Sequence, residues 1–172
     1  MSARPAEKRK EWPALEQVRQ LPRFHREAVP EDWLDEMGHM NVRWYVHLYS
    51  RAMRGLFASF GLDLDYFRER RAGTFALKQY IEYRAEVLVG DEISLHPRVA
   101  GRSEKRIHVV NFLVNDTRGA VASTLETVAT HVDLEARRSA PFPPEIRERI
   151  ERLAEEHARL GWEPPLCGVM EA

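Results

Sequence analysis

From Tyr45 onward, apolar side chains return every three or four residues. Tyr45, Leu48, Tyr49, Ala52, Met53, Leu56 and Phe60 share one stripe, while Arg43, His47, Ser50 and Arg54 fall on the other side. The spacing predicts one long amphipathic helix over Val42 to Phe60. Asn41 suits its N-cap, because an amide oxygen can accept a free N–H of the first turn, and Gly61 suits the position past its end. The period then changes from 3.6 to 2. Phe75, Leu77, Gln79, Ile81, Tyr83, Ala85 and Val87 are expected on the packed face of a strand, with Ala76, Lys78, Tyr80, Glu82, Arg84 and Glu86 on the polar face. After a turn at Gly90-Asp91, Ile93, Leu95 and Val99 continue the alternation, and Pro97 argues there for an edge or a bulge. Lys105 to Asn115 and Val121 to Asp133 read as two more strands.

The flanks are simpler. Arg23 to Val29 forms a first short strand closed by Pro30, and Pro144 opens a terminal helix with Ile146, Ile150, Leu153 and Leu160 on one stripe. Met1 to Lys10 is a charged tail leading into a short helix around Trp12 to Gln20. No internal repeat is present. One helix ahead of a four-stranded meander can bury its stripe only against the sheet, so the expected class is α+β: an antiparallel sheet wrapped around one long central helix, with an extra C-terminal helix. Such a layer leaves its far face and edge strand uncovered, which favours pairing with a second copy.

Composition narrows the function. With 172 residues, 44% of them hydrophobic, one core is expected. The net charge of -1 gives no cationic field for nucleic acid or an anionic membrane. Arg43, His47, Arg51 and Arg54 rule out the longest apolar stretch as a membrane span. Cys167 is the single cysteine, so no intrachain disulfide forms, and with no signal-peptide-like apolar run the expected location is cytoplasmic.

The candidate chemistry lies in Asp35-Glu36-Met37-Gly38-His39-Met40-Asn41, which runs straight into the long helix. It sets a carboxylate beside a helix start, where backbone N–H groups lack partners and a partial positive charge can hold a developing oxyanion. Read locally, Asp35 can equally be a turn cap, since Asp ahead of a glycine is an ordinary turn signal. His39 is either a hydrogen-bonded residue of the helix mouth or a substrate contact. His47, His108 and His131 have no metal-ligand spacing, and neither a metal nor a cofactor is expected.

Asp35-x-x-Gly38-His39-Met40-Asn41-x-x-x-Tyr45, followed by the helix and the meander, resembles the hotdog-fold acyl-CoA thioesterases of the 4-hydroxybenzoyl-CoA thioesterase type. The likeness covers about residues 23 to 134 and is nearest to the branch that includes thioesterases acting on betainyl-CoA. It implies a hotdog domain over 21–140, preceded by the tail or short helix of 1–20 and followed by the helix and tail of 141–172. It also implies hydrolysis of an acyl-CoA to acid and CoA, in a homodimer or dimer of dimers with sites at the subunit interface. Asp35 would act as nucleophile or general base, the two routes remaining open, and the N–H near Val42 would form the oxyanion hole. Gly38 would give close backbone access, with His39 and Asn41 as positioning groups.

Tyr45, Lys78 and Glu82 are the further substrate-binding candidates. Arg102, Lys105 and Arg106 are candidates for the phosphates of CoA, joined by Arg137 and Arg138, although each read alone is ordinary solvated charge. One departure bears on the acyl group. The betainyl-CoA branch usually carries an acidic residue near the start of the strand after the long helix, where this chain has Lys78. A lysine facing the pocket would disfavour a cationic acyl group. Glu82 could restore a carboxylate, and a Lys78–Glu82 surface pair is the simpler reading. Two rival classes share the fold: a non-hydrolytic acyl-CoA binder, and a hydratase or dehydratase that leaves the thioester intact.

Overall fold

The computed structural model describes residues 11–172, so the tail over Met1 to Lys10 lies outside the described residues. Helix α1 (Leu15–Val18) and strand β1 (His25–Ala28) lead to a 3-10 turn at Glu31–Trp33 and the long helix α2 (Val42–Ser59). A short helix α3 (Leu64–Arg70) comes next, then β2 (Ala72–Tyr83), β3 (Glu92–Arg102), β4 (Arg106–Asn115), β5 (Ala120–Asp133), β6 (Arg138–Ser139) and α4 (Pro144–Ala158). The antiparallel sheet runs β1-β3-β4-β5-β2, with β6 paired to β5. This is the expected α+β hotdog arrangement: a curled sheet around α2 and an added C-terminal helix.

Helix α2 forms where the periodicity places it. Asn41 caps it through Oδ1, which accepts the Arg43 N–H at 3.1 Å, and Tyr45, Leu48, Tyr49, Ala52, Met53, Leu56 and Phe57 are buried beneath it. The inner face of the sheet supplies their partners, including Leu95, Leu113 and Leu125 at one end and Val99, Ile107 and Ala129 at the other. Helix α3 has no amphipathic stripe to announce it. Its visible signal is Asp63, whose Oδ1 accepts the Tyr66 N–H at 2.9 Å.

Strand β2 departs from the expected alternation. The ladder with β5 pairs Ala76 with Ala129 and then Lys78 with Val128, leaving Leu77 as a bulged extra residue. One extra residue exchanges the faces beyond it. Thr74 and Ala76 before the bulge, and Gln79, Ile81 and Tyr83 after it, pair with the inward residues of β5. Phe75 and Leu77, expected to pack, are 55% and 49% exposed. Ala85 and Val87 lie beyond the strand end, with Val87 in the core.

Pro97 sits where β3 has outrun the four residues of β1, and the register shift follows between Val99 and Gly101. There α4 replaces a strand neighbour: Val99 N–H donates to His157 Nδ1 at 2.9 Å. The far face of the sheet is covered, contrary to expectation. α1 and the segment after α4 lie over it, packing Val18, Leu21 and Trp162 on Val110, Phe112 and Val114. The edge of β2 remains open, since β5 is its only strand neighbour among the described residues. Among those residues no helix is long and apolar enough to cross a membrane.

Candidate active site

The loop ahead of α2 is closed on itself before it reaches the helix. Asp35 N–H donates to His39 O and Gly38 N–H donates to Asp35 O, both at 3.0 Å, and Leu34 bridges Met40. Gly38 takes φ +84°, a left-handed turn that a side chain would strain. Asn41 N–H donates to Trp33 O at 2.9 Å, and the Trp33 ring stacks on Trp44 of the helix at 4.5 Å. The turn is therefore fastened to the first turn of α2 from both sides.

Within this loop Asp35 Oδ1 accepts the Met37 N–H at 2.9 Å, and Oδ2 lies 3.3 Å from His39 Nδ1. The turn-cap reading and the chemical reading of Asp35 coexist: one oxygen caps, and the other meets the histidine. The carboxylate side chain is only 13% exposed. At the helix start, Arg43 N–H goes to Asn41 Oδ1 and Trp44 N–H to Asn41 O at 3.0 Å. Val42 N–H has no acceptor among the described residues. Asp35, His39, Val42 and Tyr45 line one cleft of about 260 Å³.

Met40 of the motif also lines this cleft, and the rest of its wall comes from residues 83–86, which carry no local signal in the sequence. Tyr83, Arg84 and Glu86 enter from the end of β2, which is drawn to the loop by the 2.8 Å bond from Met40 N–H to Val87 O. Tyr83 meets Tyr45 edge-on at 4.9 Å. Burial, then the Tyr83 hydroxyl and the Glu86 carboxylate, push the Tyr45 phenol up to about 12, so it stays a protonated donor at neutral pH.

The remaining predicted residues lie elsewhere in the protomer. Lys78 and Glu82 pair with Val128 and Thr124 on the outer side of the bulged strand, away from the α2 groove that Gln79 faces. Arg102, Lys105 and Arg106 surround the β3–β4 turn, beside the far end of an α2 about 27 Å long at 1.5 Å per residue. Arg102 Nε is 3.9 Å from Glu151 there. Arg137 and Arg138 follow β5 at that same end, where Arg138 pairs with Asp133. Among the described residues no cluster of histidine, cysteine and carboxylate groups could hold a metal.

A family model described as the thioesterase-like superfamily matches residues 29–150. The chain belongs to that superfamily. It is 31% identical over 140 residues to a betainyl-CoA thioesterase of Pseudomonas aeruginosa, covering 81% of this chain and 87% of the relative. Among solved structures, a Staphylococcus aureus protein in complex with CoA has a TM-score of 0.79 at 23% identity, over 88% of this chain and 96% of that one. A 1,4-dihydroxy-2-naphthoyl-CoA thioesterase from Synechocystis has a TM-score of 0.67 at 16% identity, over 77% of this chain and 98% of that one. These two share the fold. The activity that goes with the membership is hydrolysis of an acyl-CoA thioester to the free acid and CoA, which sets aside the binder and hydratase readings.

Proposed function

We propose that Asp35 and the Val42 N–H carry out this hydrolysis together. The observation behind the reading is that a carboxylate oxygen and an unpartnered helix-start N–H line one cleft. The thioester carbonyl oxygen points at Val42 N–H, which gains strength as the oxygen becomes an anion. Asp35 either attacks the carbonyl carbon to give a mixed anhydride, which water then cleaves, or takes a proton from a water that attacks directly. Both routes break the C–S bond and release CoA thiolate, a good leaving group that needs no strong general acid. His39 holds Asp35 from one side, and Tyr45 offers a phenolic O–H to the substrate.

The second part of the proposal is a homodimer formed through β2. Its outer edge is open, and its bulge leaves apolar side chains exposed beside it. Antiparallel pairing about a two-fold axis sets the Asp35 end of one protomer against the other end of its neighbour. The turn bearing Arg102, Lys105 and Arg106 lies there, in position for the phosphates of CoA.

In that arrangement Lys78 faces away from the α2 groove and raises no objection to a cationic acyl group such as that of the betainyl-CoA relatives. The test is CoA-thiol release from a panel of acyl-CoAs, with the solution mass measured on the same sample. We expect turnover of at least one member and a mass of twice 20.0 kDa. No thiol release from any member removes the hydrolytic role, and a mass of one chain at micromolar concentration removes the dimer.

A further inference from the structure

A second space lies between α2 and β2, separated from the Asp35 cleft by the Tyr45–Tyr83 pair. It has a volume of about 260 Å³ and begins one turn along the helix, bounded by Tyr49, Ser50, Met53, Arg54 and Phe57 on one side. Thr74, Ala76 and Gln79 of β2 form the other side, and Leu125, Thr127 and Ala129 of β5 form the floor. The two spaces differ in chemistry. The cleft holds two carboxylates, Asp35 and Glu86, beside Arg84. No carboxylate lines the second space, and its charged residue is Arg54, an exposed arginine without an ion pair among the described residues. Its volume exceeds the roughly 150 Å³ of an apolar cavity that accepts a benzene ring.

We infer that this second space is the acyl chamber, and that the substrate carries a neutral, apolar acyl group of about the size of a phenyl ring. The inference rests on hydrolysis at Asp35. With the thioester held between Asp35 and Val42 N–H, the cleft is filled by the reacting atoms themselves. The acyl group then extends along α2 past the Tyr45–Tyr83 pair, and the space it meets there is lined mainly by apolar side chains. Burying a quaternary ammonium there would leave the charge without a counter-ion and beside a guanidinium, which costs far more than burying a hydrocarbon gains. A ring instead removes apolar surface from water against Met53, Phe57 and Leu125. The leucine bulge contributes directly: by exchanging the faces of β2 it turns Gln79 inward and Lys78 outward, so the wall past Ala76 is uncharged.

Equilibrium binding of non-hydrolysable CoA thioethers tests this without relying on turnover. Calorimetry on the full chain would compare S-phenethyl-CoA, S-methyl-CoA and S-(2-trimethylammonioethyl)-CoA. Phenethyl-CoA should bind at least tenfold more tightly than either of the others. Ala76→Phe, which fills the chamber from an exposed position on the edge strand, should bring phenethyl- and methyl-CoA to equal affinity. The inference is overturned if the trimethylammonio analogue binds as tightly as phenethyl-CoA, if methyl-CoA matches it in the wild type, or if the preference survives in Ala76→Phe. A phenethyl preference lost in Ala76→Phe, found together with no thiol release from any acyl-CoA, would keep the chamber and remove the hydrolytic reading alone.

Discussion

On the side of the sheet turned towards α2, charged groups stop at the rim. Asp35, Arg84, Glu86 and Arg54 border the two spaces beside α2, and the walls of the second space between them are aromatic, aliphatic or uncharged polar. On the opposite side charge goes inside. His108 and Glu126 are 4% and 2% exposed and meet at 2.8 Å, and Glu126 also accepts the Cys167 N–H. Arg98 lies over the Trp162 ring at 4.0 Å and donates from Nη2 to His157 O at 3.0 Å. The difference separates two uses of a polar group. Those of the outer face are spent on fastening α4 and the segment after it to the sheet, where each removed partner strands a buried charge. Those of the groove keep an oxygen or an N–H available for a ligand.

The largest effect should come from breaking the outer pair. Glu126→Ala leaves His108 and the Cys167 N–H without their acceptor, and should cost about 3–5 kcal/mol in urea unfolding. The kcat of the folded fraction should stay near wild type. A large loss of turnover with little loss of stability would erase the division between the faces.

Next comes acid. Burial, and then the Arg98 guanidinium, hold His157 down to about 4, against an ordinary value of 6.5. The folded state therefore keeps the ring neutral, and Nδ1 accepts the Val99 N–H. Its contribution is complete above pH 6.5 and is lost as pH falls towards 4, up to about 3 kcal/mol at 1.36 kcal/mol per unit. Stability measured against pH should show this acid slope, and His157→Asn should flatten it. A slope unchanged in the variant would place the acid sensitivity elsewhere. The smallest of the three is the helix cap: Asn41→Ala should lower stability by about 1 kcal/mol, read as a shift in the urea midpoint at constant slope.

The two faces were also unequally legible in the sequence. Helix α2 and its cap follow from spacing within a few residues, as does the pairing of Asp35 with a helix start, because loop and helix are contiguous. Tyr83, Arg84 and Glu86 reach the same cleft from about forty residues away, through the Met40–Val87 bond, and no periodicity announces such a contact. Phe75 and Ala76 lie on the faces opposite to those expected for a different reason: alternation fixes a face only while the register holds, and the bulge at Leu77 breaks it, so that Lys78 beyond it still lies on the polar side where the alternation places it. The cover on the outer face was missed because the segment after α4 is neither helix nor strand. Only its prolines and Trp162 distinguish it from a tail.

The central claim is that Asp35 acts on the thioester. It is met most directly by measuring kcat for Asp35→Asn at saturating acyl-CoA, with the thermal midpoint taken on the same samples. The geometry predicts a fall of about 10³-fold, within the range for a positioned acid–base group, at a midpoint close to wild type. Turnover within tenfold of wild type in the folded variant would contradict it.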